Sequence, residues 1–327
     1  MSNSGSAGGS NSGSAGGSGL LASDPATLRE PVLDWYATNA RDLPWRRPGV
    51  SPWAVLVSEV MLQQTPVARV LPAYAAWLAR WPRPTDLAAE APGNAVRQWG
   101  RLGYPRRALR LHEAADVITR RHDGEVPADH DALRALPGVG AYTAAAVASF
   151  AFGGRHAVLD TNVRRVLARA VTGVAYPAPA TTAAESRLAA SLVPNDPATA
   201  ARWAVAVMEL GALVCTARAP RCADCPVRTR CAWRRAGRPA YDGPPRRRQP
   251  FTGTDRQVRG LLLRALGEAS RPVGREKLDA VWPEGAAQRV RALHGLVADG
   301  LVEPLADGRY QLPSRPAPSA HHDEIAS

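Results

Sequence analysis

The sequence predicts an all-α protein with a small mixed unit near its C-terminal end. Three observations carry this. Proline and glycine cut the chain into short segments of helical period, at Pro44 and Pro48, Pro82 and Pro84, Pro92-Gly93, Pro137-Gly138, and Pro194 and Pro197. No strand–helix–strand alternation appears, so nothing argues for a parallel sheet. The one strand-like signal comes late, where residues 301–305 and 309–312 flank Ala306-Asp307-Gly308, an Asp-Gly hairpin pattern.

Taken in order, residues 1–21 are mostly Gly, Ser, Ala and Asn and are expected to form a disordered tail or linker. The Val-, Leu- and Ala-rich run from Trp53 to Trp81 predicts two helices broken near Pro66 and Pro72. Leu136-Pro137-Gly138-Val139-Gly140 ends one helix and precedes another over 142–152. Helices are also predicted over 163–170 and 202–214, the second leading into the cysteines. A Pro/Arg-rich linker spans 237–253. Beyond it, 255–267, 275–281 and 286–299 read as three helices before the hairpin, an arrangement that resembles a winged helix and suggests a separate unit over 254–313. Residues 314–327 read as a loose tail.

The formal net charge is +12 in 327 residues, which points to a polyanionic partner. Nearly all of it is arginine, since Lys277 is the only lysine. From Arg228 to Arg259 ten arginines face only Asp242 and Asp255, a net +8, so the charge is concentrated beside the cysteines. Both a solvated loop and a phosphate-binding rim fit that run. The longest apolar stretch, 141–152, has 12 residues and contains Thr143 and Ser149, too short for a membrane span. The N-terminus lacks a basic-then-apolar signal pattern. A cytoplasmic, monomeric protein with no membrane partner is expected.

All four cysteines fall within 17 residues, at Cys215, Cys222, Cys225 and Cys231. Four thiolates so close suggest one four-coordinate metal site. Two disulfides and four unrelated core thiols are the other readings. Only one C-x2-C pair is present where zinc sites usually show two, which leans toward a [4Fe–4S] cluster.

Three further segments bear chemistry. The glycine-rich turn Pro137–Gly140 has no strand before it, so a dinucleotide fingerprint fails its context. An ordinary αα turn remains open. So does a phosphate grip made by backbone N–H groups backed by a helix N-terminus. Asp160 precedes a helix, where it would serve as an N-cap. Glu59 lies inside the apolar Val55-Leu56-Val57-Ser58-Glu59-Val60-Met61-Leu62. It is either a surface carboxylate or, if buried, a group with a raised pKa suited to general acid catalysis.

The pattern Leu136-Pro137-Gly138-Val139-Gly140-Ala141-Tyr142-Thr143-Ala144 resembles the helix–hairpin–helix of DNA repair glycosylases. Ser58-Glu59-Val60-Met61-Leu62-Gln63-Gln64-Thr65 matches the motif of the MutY-type adenine DNA glycosylases residue for residue. Asp34-Trp35-Tyr36, Leu43-Pro44-Trp45-Arg46, Leu102-Gly103-Tyr104, Asp160 and the cysteine spacing follow in family order. The resemblance runs from about Asp34 to Pro226. It implies a helix–hairpin–helix glycosylase fold of two helical lobes, with residues 22–45 and 153–236 in a cluster-bearing lobe and 46–152 in a six-helix barrel lobe. It implies removal of adenine mispaired with 8-oxoguanine or guanine in duplex DNA, and a [4Fe–4S] cluster on the four cysteines.

The resemblance also implies roles for residues. Glu59 is the acid that protonates adenine at N7, and Asp160 is the carboxylate facing the sugar. Trp45, Arg46 and Tyr142 hold the extruded adenine, and Asn162 supports the carboxylates. Gln64, Thr65, Leu102 and Tyr104 lie by the partner base. Gly138, Val139 and Gly140 grip a DNA backbone. This sequence departs from the family at Thr161, where glycine is usual, and at Pro105, where a second aromatic is common. Asp160-Thr161 is more like endonuclease III, a pyrimidine-specific relative. Only 75 residues follow Thr252, too few for the family's Nudix-like 8-oxoguanine reader. The C-terminal unit is therefore expected to add DNA affinity indifferent to the lesion, through Arg289 and Arg291 on its third helix.

Two rivals remain at this point. A bifunctional lyase like endonuclease III needs a lysine two residues after Gly140, where this chain has Tyr142. A non-catalytic iron–sulfur DNA-binding sensor would keep the hairpin and the cluster but has no use for Glu59 with Asp160.

Overall fold

A computed structural model describes residues 25–243 and 251–314. The expected tail over 1–21, all of the expected tail over 314–327 except Ser314, and the linker's Arg246, Arg247 and Arg248 lie outside the described residues. The first helix is α1 (Arg29–Asn39). The barrel lobe follows with α2 (Pro52–Leu62), α3 (Val67–Arg80), α4 (Pro84–Ala88), α5 (Pro92–Trp99), α6 (Arg106–Arg121), α7 (His130–Ala135) and α8 (Ala141–Phe152). The chain then returns to pack on α1 through α9 (Thr161–Leu167), α10 (Ala183–Leu192), α11 (Pro197–Leu213) and the short α12 (Ala232–Arg235).

At the centre of the barrel lobe is α2. Ser51 caps it by accepting the Ala54 N–H at 3.2 Å, and Pro52 fills the first position, where no N–H is needed. Its residues Trp53 to Met61 are all buried, as expected of a helix that is apolar all round. Alanine-rich α8 lets α2 approach closely, so Glu59 is enclosed by neighbouring helices. Around them Trp77, Trp81 and Trp99 pack edge to face. The break at Pro66 is where the sequence puts it. At Pro72, however, α3 continues through the proline, because the long apolar face of the helix outweighs one lost hydrogen bond.

The second lobe has its own core of Val32, Val166, Leu192, Trp203, Val207 and Leu210. The start of α9 presses directly on α11. A Cβ on Gly211 would stand 2.7 Å from Asn162 Cβ, so glycine is required for that approach.

The C-terminal residues form α13 (Asp255–Glu268), α14 (Arg275–Ala280), α15 (Ala286–Ala298) and a hairpin of β1 (Glu303–Pro304) and β2 (Tyr310–Gln311), antiparallel with Glu303 opposite Gln311. The groove-facing role expected of Arg289 is corrected. Arg289 is 9% exposed, and it donates to Asp279 Oδ1 at 2.6 Å and to the Trp282 carbonyl at 2.6 Å. It faces inward because that side of α15 closes the unit's core against α14. Arg291 is exposed and lies 3.4 Å from Asp255. Among the described residues no helix is long and apolar enough to cross a membrane.

Candidate active site

A cavity of about 1100 Å3 opens between the two lobes. Its lining brings together Trp45, Arg46, Glu59, Gln64, Thr65, Tyr142, Asp160 and Asn162, which are spread over more than a hundred residues of sequence. The lobes meet there because α2 and α8 supply one wall while α9 and α11 supply the other.

Glu59 is 5% exposed. The Tyr142 hydroxyl, on the first turn of α8, donates to Glu59 Oε2 at 2.9 Å. Burial pushes the Glu59 carboxyl up to about 7; the Tyr142 hydrogen bond and Arg46 oppose the rise, while Asp160 adds to it. Tyr142 is itself held well above the usual tyrosine range by burial and by the two carboxylates.

Asp160 caps α9. Its Oδ1 accepts the Val163 N–H at 2.6 Å, and its Oδ2 accepts Asn162 Nδ2 at 2.6 Å. Burial raises its pKa, and these hydrogen bonds work against the rise. The cap and a cavity-facing carboxylate are thus one residue in one conformation. Asn162 is fixed in turn by Arg165, which donates to its Oδ1 at 2.7 Å, to the Gly211 carbonyl at 2.7 Å and to the Cys215 carbonyl at 2.7 Å. A continuous set of hydrogen bonds therefore runs from Asp160 to the cysteine segment.

Leu102 and Tyr104 do not line the cavity. Leu102 is 5% exposed and packs in the barrel core, whereas Tyr104 is 45% exposed. They adjoin the cavity through Thr65, whose hydroxyl donates to the Leu102 carbonyl at 3.4 Å. Gln64 and Tyr104 both hold left-handed backbone, with φ of 54° and 49°, a conformation that costs a non-glycine residue on the order of 1 kcal/mol or more.

The Pro137–Gly140 turn joins α7 to α8. Gly138 has φ of +77°, and a Cβ there would stand 2.7 Å from Arg110 Cβ, so only glycine fits. Val139 is buried at 7% exposure, which leaves backbone as what this turn presents. Gly140 precedes α8, whose first N–H groups have no partners within the helix.

The four cysteines are free thiols and partly buried. Burial first, and the other three cysteines after it, push Cys225 up to about 12, so the four are electrostatic neighbours. Four thiolates this close would repel one another, so a cation among them is what would favour their joint ionisation, which fits a bound metal group. Among the described residues no group of His, Cys, Asp or Glu could hold a single metal ion. A cluster is wider than one ion, and its thiolates stand further apart. Arg169 supports the segment, donating to Cys215 Sγ at 3.5 Å and to the Thr216 carbonyl at 2.7 Å.

Sequence reasoning missed two residues. Glu209 on α11 has a fully buried side chain and pairs with Arg41 at 2.6 Å and with Arg46 at 2.8 Å. It holds Arg46 at the cavity. Its signal was the one that marked Glu59, a carboxylate inside an apolar helix. Arg107 ties the two loops beside the cavity together. It donates to the Gln63 carbonyl at 2.6 Å, to Thr65 Oγ1 at 3.1 Å and to the Gly103 carbonyl at 3.0 Å.

Residues 57–191 match the model of the HhH-GPD superfamily base excision DNA repair proteins. The chain is 55% identical over 282 residues to an adenine DNA glycosylase of Mycobacterium tuberculosis, covering 86% of this chain and 92% of that one. It is 56% identical over 281 residues to an adenine DNA glycosylase of Mycolicibacterium smegmatis, covering 86% and 94%. A solved thermostable thymine-DNA glycosylase superposes with a TM-score of 0.59 at 28% identity, over 65% of this chain and 97% of that one. With more than nine tenths of two such relatives matched, the chain belongs to the adenine DNA glycosylases, N-glycosylases that remove adenine from DNA in base excision repair.

Proposed function

We propose that the adenine removed is the one mispaired with 8-oxoguanine or guanine in duplex DNA, and that the reaction is monofunctional hydrolysis. The observation that carries the reading is the pair of carboxyls in one cavity, Glu59 held near neutral pKa under the Tyr142 hydroxyl and Asp160 fixed by Asn162 and the start of α9.

An N-glycosidic bond breaks through an oxocarbenium-like sugar and a departing base, so one carboxyl must give a proton and another must face the cation. Glu59 keeps its proton near neutral pH and donates it to adenine N7. Asp160 accepts hydrogen bonds that favour its charged form and faces the sugar. The adenine reaches them only after leaving the base stack. Trp45, Arg46 and Tyr142 then hold it, with Arg46 braced by Glu209. Gln64 and Tyr104 fill the gap left in the duplex beside the partner base, with Thr65 and Leu102 behind them. The backbone of Gly138, Val139 and Gly140 grips a strand.

Cys215, Cys222, Cys225 and Cys231 are proposed to hold a [4Fe–4S] cluster. When bound, it shapes the basic loop around Arg228 and Arg230 against DNA and takes no part in bond breaking. Tyr142 stands where a lyase needs lysine, and Lys277 lies on α14, outside the cavity lining. This supports a product strand left intact at the abasic site. The protein is expected to act as a monomer.

The test is excision from a duplex with adenine opposite 8-oxoguanine, read with and without alkali, and with borohydride present. The expected product nicks only on alkali, and borohydride traps no complex. A strong trapped band, or excision of thymine from a T:G duplex at a comparable rate, overturns the reading.

A further inference from the structure

The C-terminal unit does not merely hang from its linker. Val258, Leu262 and Leu266 of α13 belong to the same hydrophobic cluster as Val96, Trp99 and Leu102 of the barrel lobe. The fit is tightest at Gly93, whose N–H donates to the Pro313 carbonyl at 2.8 Å and where a Cβ would stand 2.6 Å from that oxygen. Arg97 donates to the Gly267 carbonyl at 2.8 Å, and Arg106 pairs with Asp299 at 3.2 Å.

This docking carries Arg256, on the first turn of α13, over the ring of Tyr104. Its guanidinium carbon lies 5.1 Å from the Tyr104 centroid and 5.7 Å from that of Phe251. Arg107 approaches the same tyrosine at 5.5 Å. Tyr104 is therefore an exposed ring on left-handed backbone, contacted by one arginine from each unit. Planar guanidinium groups stack on aromatic faces, and such a contact restricts a ring that solvent would leave free to turn.

We propose that Arg256 is a positioning residue for Tyr104, through which the C-terminal unit takes part in reading the base opposite the adenine. This rests on the reading above that Tyr104 enters the gap in the stack. It replaces the expectation that the unit contributes only affinity indifferent to the lesion.

The experiment uses the full chain and duplexes whose adenosine carries a 2′-fluoro group that resists excision. Preference is the affinity for an A:8-oxoguanine duplex divided by that for an A:T duplex. Arg256→Ala is expected to lower the preference roughly two- to five-fold, the size of an exposed cation–π contact. Arg264→Ala removes the same charge from the exposed face of the same helix. It is expected to weaken all duplexes alike and leave the preference intact. Tyr104→Ala is expected to lower the preference further, and adding Arg256→Ala to it should change nothing more. Thermal melts check that all variants are folded. If Arg256→Ala behaves as Arg264→Ala does, or if its effect multiplies with that of Tyr104→Ala, the proposal falls while the Tyr104 assignment stands. If Tyr104→Ala leaves the preference unchanged, the assignment of Tyr104 to the gap falls first and takes the proposal with it.

Discussion

Replacing Glu59 by glutamine is expected to abolish excision and to stabilise the protein, because one burial causes both effects. A carboxyl with an ordinary value of 4.5 is held at about 7 in the folded chain, chiefly by burial. The folded state therefore binds a proton more tightly than the unfolded state. Stability is then greatest below the unfolded value and falls as pH rises from about 4.5 to about 7, by about 3 kcal/mol in all. Above that window the loss is complete and constant. Glutamine has nearly the same shape, still accepts the Tyr142 hydrogen bond, and has no charge to bury; its new N–H2 group opens on the cavity. Urea unfolding is expected to show the variant more stable than the parent by about 3 kcal/mol near pH 8, a gain that shrinks below about 1 kcal/mol near pH 5. Single-turnover excision is expected to vanish at every pH, since an amide cannot donate the proton. A stability gain independent of pH, or a residual rate above a few per cent, would show that Glu59 is not the buried acid.

Tyr142→Phe removes the hydroxyl that favours the ionised form of Glu59, so the descending limb of the pH–rate profile is expected to move up by about one to two pH units, the worth of a hydrogen bond to a charged group; an unmoved or lowered midpoint would break the link between the two residues. Glu209→Gln leaves Arg41 and Arg46 facing a neutral amide at a buried site. It is expected to cost about 3 kcal/mol in urea unfolding and to weaken adenine holding, seen as a higher half-saturation concentration. Gly138→Ala is expected to lower affinity for every duplex alike and to cost at least about 1 kcal/mol of stability, because its φ of +77° strains alanine and its methyl group meets Arg110. Purified protein is expected to be brown, with about four irons per chain, and Cys222→Ser to give little soluble protein; a colourless protein with one zinc would remove the cluster from the account.

The parts of the site readable from sequence were those whose cause is local. Glu59 stood out because eight neighbours in one helix are apolar, and Gly138 because it lies in a glycine-rich turn between two helices. Asp160 could be read as a cap from its place before a helix. What was not readable depends on contacts far apart in the chain. Arg107 looks like any basic residue on an amphipathic helix, yet its partners are carbonyls and a hydroxyl at positions 60 to 65 and 103. Arg289 was placed on the outer face of α15 because helix period alone does not say which face meets α14. The docking of the C-terminal unit rests on pairs such as Gly93 with Pro313, which no local pattern announces. Glu209 is the instructive miss, since its signal was present and was read only as helix.

Several costly features of this molecule lie at or beside the cavity, although Asp123 and Arg238 hold left-handed backbone elsewhere. A carboxyl is buried at Glu59, left-handed backbone is imposed on Gln64 and Tyr104, and the Glu209 carboxylate is buried between Arg41 and Arg46. None of these stabilises the fold by itself, and each persists because the surroundings leave it no alternative. Arg107 clamps the Gln63–Thr65 loop to the Gly103 carbonyl. Arg165 locks Asn162 against α11 and the cysteine segment. Arg41 and Arg46 neutralise Glu209. Every one of these braces is an arginine that reaches across to another element, to main-chain carbonyls for Arg107 and Arg165 and to the Glu209 carboxylate for Arg41 and Arg46. The chemistry explains the choice, because a planar guanidinium offers five donors in a fixed fork and stays charged when partly buried. Arginine is therefore doing two jobs in this chain, facing the polyanion outside and organising strained segments inside. Net charge alone overstates the first, since Arg165, Arg169 and Arg289 are each less than a tenth exposed.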